Sequence, residues 1–197
     1  SLEVDNAEGS GKVAVASRLL LDTLREFSDQ PLSFSINDSN LAMVITSANG
    51  SYNFIGQNGD EYPRLPQLQE DAHLMSLPVN QLSAGISKTL FCTADDELRP
   101  VMNGVFFDIM TDNLTLVATD AHKLVRFKTS YNSISFQEEE EKLRFILPKK
   151  PATMLKNILP KESGDVDIKF DSKNAYFKLS NYTMICRQVE GRFPNYN

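Results

Sequence analysis

Cysteine and histidine are scarce in this chain, and their placement excludes several chemistries. Cys92 and Cys186 are its cysteines and His73 and His122 its histidines; there is no C-x-x-C pair. Those spacings build no convincing zinc site. Without a disulfide framework or a redox pair, both thiols are expected to be buried and reduced, as in a cytosolic protein. Long apolar runs are missing too: no stretch approaches the ~20 residues that span a bilayer. The opening residues, SLEVDNAEGSG, hold no basic-then-apolar leader, so no secretory signal is expected. The aromatic residues sit singly in alternating stretches and form no platform on which bases could stack. Nothing in the pattern calls for a cofactor.

What remains is an ordinary globular composition, 41% hydrophobic and 23% charged over 197 residues. That length supports one large domain or up to two small ones. The most informative stretch is residues 114–127, LTLVATDAHKLVRF, with RPVMNG just upstream at residues 99–104. Leu114, Leu116 and Ala118 alternate with Thr115, Val117 and Thr119, which is strand periodicity. Asp120, Ala121 and His122 break the pattern, and it resumes from Leu124. Two strands therefore meet at a corner that presents Thr119, Asp120, His122 and Lys123 beside Leu124. An aspartate two residues from a histidine invites a hydrolase reading, with Asp120 orienting the His122 imidazole. No nucleophile stands at an informative spacing, and a tight corner gives both residues a simpler use as partners of backbone groups.

One order of elements recurs. A short strand at residues 12–16, a helix from a Ser17 cap to about residue 27, and strands at 32–37, 41–47 and 51–55 form the first copy. The second runs from a strand at 73–77 through Pro78 and a helix carrying Val79, Leu82, Ile86 and Leu90. It closes with strands at 102–109, 114–119 and 122–128. The third comprises a strand at 143–147, a helix at 148–159 and strands at 166–170, 175–179 and 182–188. A period of ~65 residues is too long for a solenoid, so each copy is a half-domain. Two copies pairing helix to helix over a continuous sheet make a domain at about residues 73–192. The first copy has no such partner, which suggests that the chain is a fragment. The acidic run 138–141 is expected to be a solvated linker.

Charge is distributed unevenly around a net value of −6. No acidic residue occurs between Lys142 and Lys161, or in the second helix. Lys149, Lys150, Thr153, Lys156 and Asn157 fall away from the apolar stripe of the third helix, and Lys88 falls away from that of the second. The first helix is mixed, with Arg18 and Arg25 near Asp22. A basic helical face on an acidic chain suits a polyanion held without base readout, or is simply solvated.

With the repeat, the corner and the tail together, the sequence resembles the bacterial sliding clamp family, the beta subunit of DNA polymerase III. The carriers are DELRPVMNG at 96–104, VATDAHKL at 117–124, FILPKK at 145–150 and EGRFPNY at 190–196. The resemblance implies an α+β DNA-clamp fold, with repeated β-α-β-β-β half-domains and paired helices over antiparallel sheets. It implies that residues 1–70 are the C-terminal half of a first clamp domain and 71–193 a complete second one. Residues 194–197 would begin a connector to a third. It further implies a cytoplasmic, non-enzymatic processivity factor that encircles duplex DNA as a homodimeric ring. Such a factor tethers polymerase, clamp loader and repair proteins through short linear motifs. By the same resemblance Arg18, Arg25, Lys88, Asp96, Arg99, Pro100, Lys149, Lys150 and Lys156 would face DNA. Arg99, Val101, Met102, Thr119, Ala121, His122, Lys123, Leu124 and Pro194 would form the peptide groove. Tyr52 and Phe54 would lie at the subunit interface. Many relatives carry glycine and arginine where this chain has Ala121 and Lys123. The other readings are a generic interaction module without DNA binding and the Asp120/His122 hydrolase.

Overall fold

The computed structural model describes residues 4–131, 133–134 and 142–196, so the acidic run 138–141 lies outside the described residues. The chain divides into two compact units, Ser1–Arg64 and Leu65–Asn197.

The first unit runs β1 (Val13–Ala14), α1 (Ser17–Arg25), β2 (Ser33–Asn37), β3 (Ala42–Ser47), β4 (Gly50–Ile55) and β5 (Gln57–Asn58). Strands β2, β3 and β4 form one antiparallel sheet, and β1 pairs with β5. Leu20, Leu24 and Phe27 pack with Met43, Ile45 and Phe54 in a small core. Ser17 does not cap α1 as the sequence suggested; Ala16 holds the cap position and no side chain bonds there.

The second unit holds β6 (His73–Pro78), α2 (Val79–Thr89), β7 (Gly104–Met110), β8 (Leu114–Thr119), β9 (Leu124–Thr129) and β10 (Ser133–Ile134). It continues with β11 (Lys142–Pro148), α3 (Lys149–Ile158), β12 (Asp165–Phe170), β13 (Asn174–Lys178) and β14 (Thr183–Arg187). The expected continuous sheet is corrected to two sheets, ordered β10-β6-β12-β13-β14 and β11-β7-β8-β9. The two repeats exchange their first strands. β6 pairs with β12 of the later repeat, while β11 pairs with β7 of the earlier one. Exchange leaves neither half able to close its sheet alone.

The helices obey the same reciprocity. Each begins just after a proline, Pro78 or Pro148, at the cap position, where a missing N–H costs nothing. The first helical N–H of α2, from Val79, donates to Gly164 O at 2.9 Å, and that of α3, from Lys149, to Asn103 O at 2.9 Å. Each orphan donor is thus satisfied by the other repeat. Val79 and Asn80 at the head of α2 share a shallow groove with Leu159 and Pro160, just past α3, so the helices run antiparallel. Leu82, Ile86 and Leu90 enter one core with Ala152, Leu155 and Leu159, above Phe107 and Phe145, whose rings stack at 4.4 Å. Strands β7 and β8 are buried along nearly their whole length on both faces, unusual for an antiparallel sheet. The C-terminal segment covers part of the face that the helices leave bare.

Candidate functional site

The corner between β8 and β9 is a two-residue turn built by its own polar side chains. Asp120 N–H donates to Lys123 O at 3.4 Å, and Thr119 Oγ donates to the same carbonyl at 2.8 Å. The Asp120 carboxylate accepts from the backbone N–H groups of His122 at 3.1 Å and Lys123 at 2.9 Å, and from the Lys123 ammonium. The Lys123 hydrogen bond, followed by the backbone donors, holds the Asp120 carboxyl well below the usual carboxylate range. That carboxylate is occupied with the turn and the lysine, so the hydrolase reading loses its orienting aspartate. Leu124 opens β9 opposite Thr119 and remains 46% exposed, while Thr119 is buried. The corner thus offers an apolar side chain on a rigid, hydrogen-bonded frame.

Ala121 is the strained point of that frame, with φ +74 where its neighbour His122 keeps a negative φ. That sign pattern belongs to the type II′ hairpin turn, whose first central residue is normally glycine. An L-residue there costs about 1–2 kcal/mol, partly offset by the greater unfolded-state freedom of glycine. Ala121→Gly is therefore expected to raise stability by up to ~1 kcal/mol, seen as a higher urea midpoint at unchanged m-value. Ala121→Val should lower it.

The other expected groove residues lie on two neighbouring segments. Arg99, Pro100, Val101 and Met102 form a tight turn ahead of β7, braced by Asp96. Asp96 accepts from Arg99 Nε at 2.7 Å and from Leu98 N–H at 2.9 Å, and the Arg99 bond in particular lowers its carboxyl pKa. Asn103 clamps the same loop by bonding both Asp96 N–H and Asp96 O. Val101 is half-buried against a second apolar cluster made of Phe106, Val117, Ile146 and Phe193. Pro194 belongs to the segment that covers this cluster. It lines a cavity of about 450 Å³ with Phe106, Arg144 and Tyr196, and Leu124 is not among that cavity's walls. The expected groove residues are therefore carried by a turn, a loop and a tail.

Sequence reasoning missed what holds the tail. Val189 N–H donates to Ile146 O at 3.0 Å on the free edge of β11. Phe193 stacks on Phe106 at 4.6 Å with the rings 2° from parallel. The Tyr196 hydroxyl donates to Asp108, a carboxylate only 5% exposed that also accepts from Arg144 Nε at 2.8 Å. The available signal was GVFFDIM at β7, apolar in both phases of its alternation, which requires cover on both faces.

The expected cationic residues fare differently. Lys150 and Lys156 are exposed on α3, and among the described residues neither makes an ion pair. Lys88 is exposed on α2, with its ammonium 5.1 Å from the centre of the Phe127 ring. Lys149 is no free cation, because it pairs with Asp95. Arg18 and Arg25 share one carboxylate, Asp22, at 3.8 Å and 3.3 Å on an exposed helix. In the first unit Phe54 is only 6% exposed and packs in the core, which corrects its expected place at a subunit surface. Tyr52, on the same strand, is 44% exposed and meets Phe27 edge-on. Among the described residues no group of three or more His, Cys, Asp or Glu could hold a metal ion. No helix among them is long and apolar enough to cross a membrane.

A family model described as the DNA polymerase III beta subunit, central domain, matches residues 76–195, and the N-terminal domain of the same subunit matches residues 1–66. The chain belongs to the DNA polymerase III beta subunit family. It is 31% identical over 187 residues to the beta sliding clamp of Halalkalibacterium halodurans, covering 93% of this chain and 47% of that protein. To the Staphylococcus aureus beta sliding clamp it is 31% identical over 193 residues, covering 98% and 49%. The sliding clamp of Bartonella birtlesii, in a crystal structure bound to griselimycin, superimposes with a TM-score of 0.86 at 27% identity. That match covers 97% of this chain and 51% of the other. The chain thus spans about half the length of the clamps it matches.

Proposed function

We propose that this chain is part of a DNA polymerase processivity factor, a non-catalytic sliding clamp that holds duplex DNA without reading its sequence. The carrying observation is the antiparallel α2/α3 pair. Both helices lack acidic residues, and Lys88, Lys150 and Lys156 stay exposed outside the shared core of a chain whose net charge is −6. Mobile phosphate contacts need positioned positive charge and no base-edge geometry. Retention of a polymerase on such a sleeve comes from raised effective concentration, with no chemical step required.

In this reading residues 1–70 are the C-terminal half of the first clamp domain, 71–193 the complete second and 194–197 the start of a connector. The full-length protein closes as a homodimeric ring in the cytoplasm, with Tyr52 as the candidate contact in the first domain. Arg99, Val101, Met102, Thr119, Ala121, His122, Lys123, Leu124 and Pro194 receive short peptide motifs of polymerase, clamp loader and repair proteins. Arg99 and Lys123, each held by an aspartate, supply a polar rim around the apolar anchors.

The test uses the full-length ring protein carrying Lys88→Glu, Lys150→Glu and Lys156→Glu. Its log–log dependence of DNA association on salt is expected to flatten by about 1 per lysine, with shorter retention on circular duplex. An unchanged slope and lifetime would remove the helical face from the proposal.

A further inference from the structure

The tail from Val189 to Tyr196 is positioned by groups that the peptide groove itself does not use. It leaves the edge of β11 at Ile146, crosses the outer face of the four-stranded sheet over Phe106, and ends at Asp108. Asp108 and Arg144 face each other across the β7–β11 pair, one alternation beyond Phe106 and Ile146 on the same face. Pro194 sits between two fixed points, the Phe193–Phe106 stack and the Tyr196–Asp108 hydrogen bond. The tail also meets the other side of the groove: a side chain at Gly191 would come within 2.7 Å of Val101 Cγ1. One wall of the groove, Pro194, thus takes its position from a strap that is itself held by side chains and that passes close beside the other wall, Val101.

We propose that Tyr196 and Asp108 form a latch that positions this strap, making Tyr196 a positioning residue for peptide capture although it lies outside the groove. The inference rests on the peptide-binding reading given above. When the latch is closed, Phe193 fills the apolar row of Ile146, Phe106 and Val117, and Pro194 is held as a ready-made wall. When it is open, that wall must be ordered at the moment of binding, which weakens capture by the cost of ordering. Asp108 is suited to the task because its carboxylate is buried and shared, so the Tyr196 hydroxyl has a charged acceptor that water cannot readily replace. Burial, and then the bond to Asp108, push the Tyr196 hydroxyl up to about 12, which keeps the donating proton in place at any ordinary pH.

The experiment compares the parent chain with Tyr196→Phe, which keeps the ring and removes only the donated hydrogen bond. The probe is a short fluorescent peptide carrying leucine and phenylalanine side chains. Tyr196→Phe is expected to weaken peptide binding about 3–10-fold and to speed amide exchange at Val189 and along the strap. Exchange in α2 and α3 should stay at the parent rate. Asp108→Asn keeps an acceptor for the hydroxyl and should bind the peptide more tightly than Asp108→Ala. Unchanged affinity in Tyr196→Phe would overturn the latch. So would a loss of affinity in which strap and helices exchange faster together, because that is general destabilisation. If the parent itself fails to bind, or Leu124→Asp binds as well as the parent, the groove reading fails instead. The two failures are therefore distinct.

Discussion

Replacing Gly104 with alanine is expected to cost the second unit about 3 kcal/mol of folding stability, the upper range for forcing atoms into a packed site. Gly104 is buried at the start of β7, where it faces Pro148 on β11. A Cβ there would stand 2.4 Å from the carbonyl oxygen of Leu147 and 2.9 Å from Ile146 Cγ2. The first of these is backbone and has no rotamer into which to retreat. Moving it would disturb the seam that runs from Lys142 to Pro148 and the bond from Lys149 N–H to Asn103 O that starts α3. The seam is where one repeat lends its first strand to the other, so the clash acts on the joint that makes the domain. For a chain of this size such a loss lowers the melting temperature by about 6–12 °C. Gly164→Ala is the control. Gly164 has φ +80 but nothing within 4 Å of its added Cβ, so only the dihedral cost of about 1–2 kcal/mol applies. Equal losses in the two variants would show that close approach at the seam is not what requires glycine.

Leu124→Asp is expected to reduce binding of a hydrophobic peptide at least ~100-fold, the effect of removing a central apolar anchor and placing a charge against the ligand. The fold should persist. Leu124 is half-exposed on the edge strand β9, and the turn beside it is held by Thr119, Asp120 and Lys123, which do not change. The new carboxylate would stand beside Asp120, which already commits its charge to Lys123. Fluorescence anisotropy of a labelled peptide gives the affinity, and circular dichroism checks the fold. Binding within about twofold of the parent would remove Leu124 from the groove, since a 1.4 kcal/mol contact is already worth tenfold.

The local elements were legible because each has one clear periodicity. Leu114, Leu116 and Ala118 mark β8, and Val79, Leu82 and Ile86 mark the buried stripe of α2. The repeat was legible for the same reason, since equal elements return in equal order. The exchange of first strands was not. Whether β6 joins β12 or its own hairpin is a choice of partner, and alternation specifies a face without naming a neighbour. Phe54 and Tyr52 share one face of β4, so the pattern could not say which one the helix covers; Phe54 faces Met43, and the core closes over both. Lys149 read as a free cation because its partner Asp95 is 54 residues away in sequence. The latch was hidden by a longer separation still, 88 residues between Tyr196 and Asp108. In the corner, the residues of the turn were legible as a group, whereas the strain at Ala121 shows only in its φ.

The most direct measurement is an amide chemical-shift map of this chain titrated with non-specific duplex DNA at low and at moderate salt. Perturbations centred on Lys88, Lys150 and Lys156 that fade as salt rises are the predicted result. Perturbations that gather instead on the outer sheet face, around Arg126, Lys128 and Arg144, would contradict a DNA-facing helical surface.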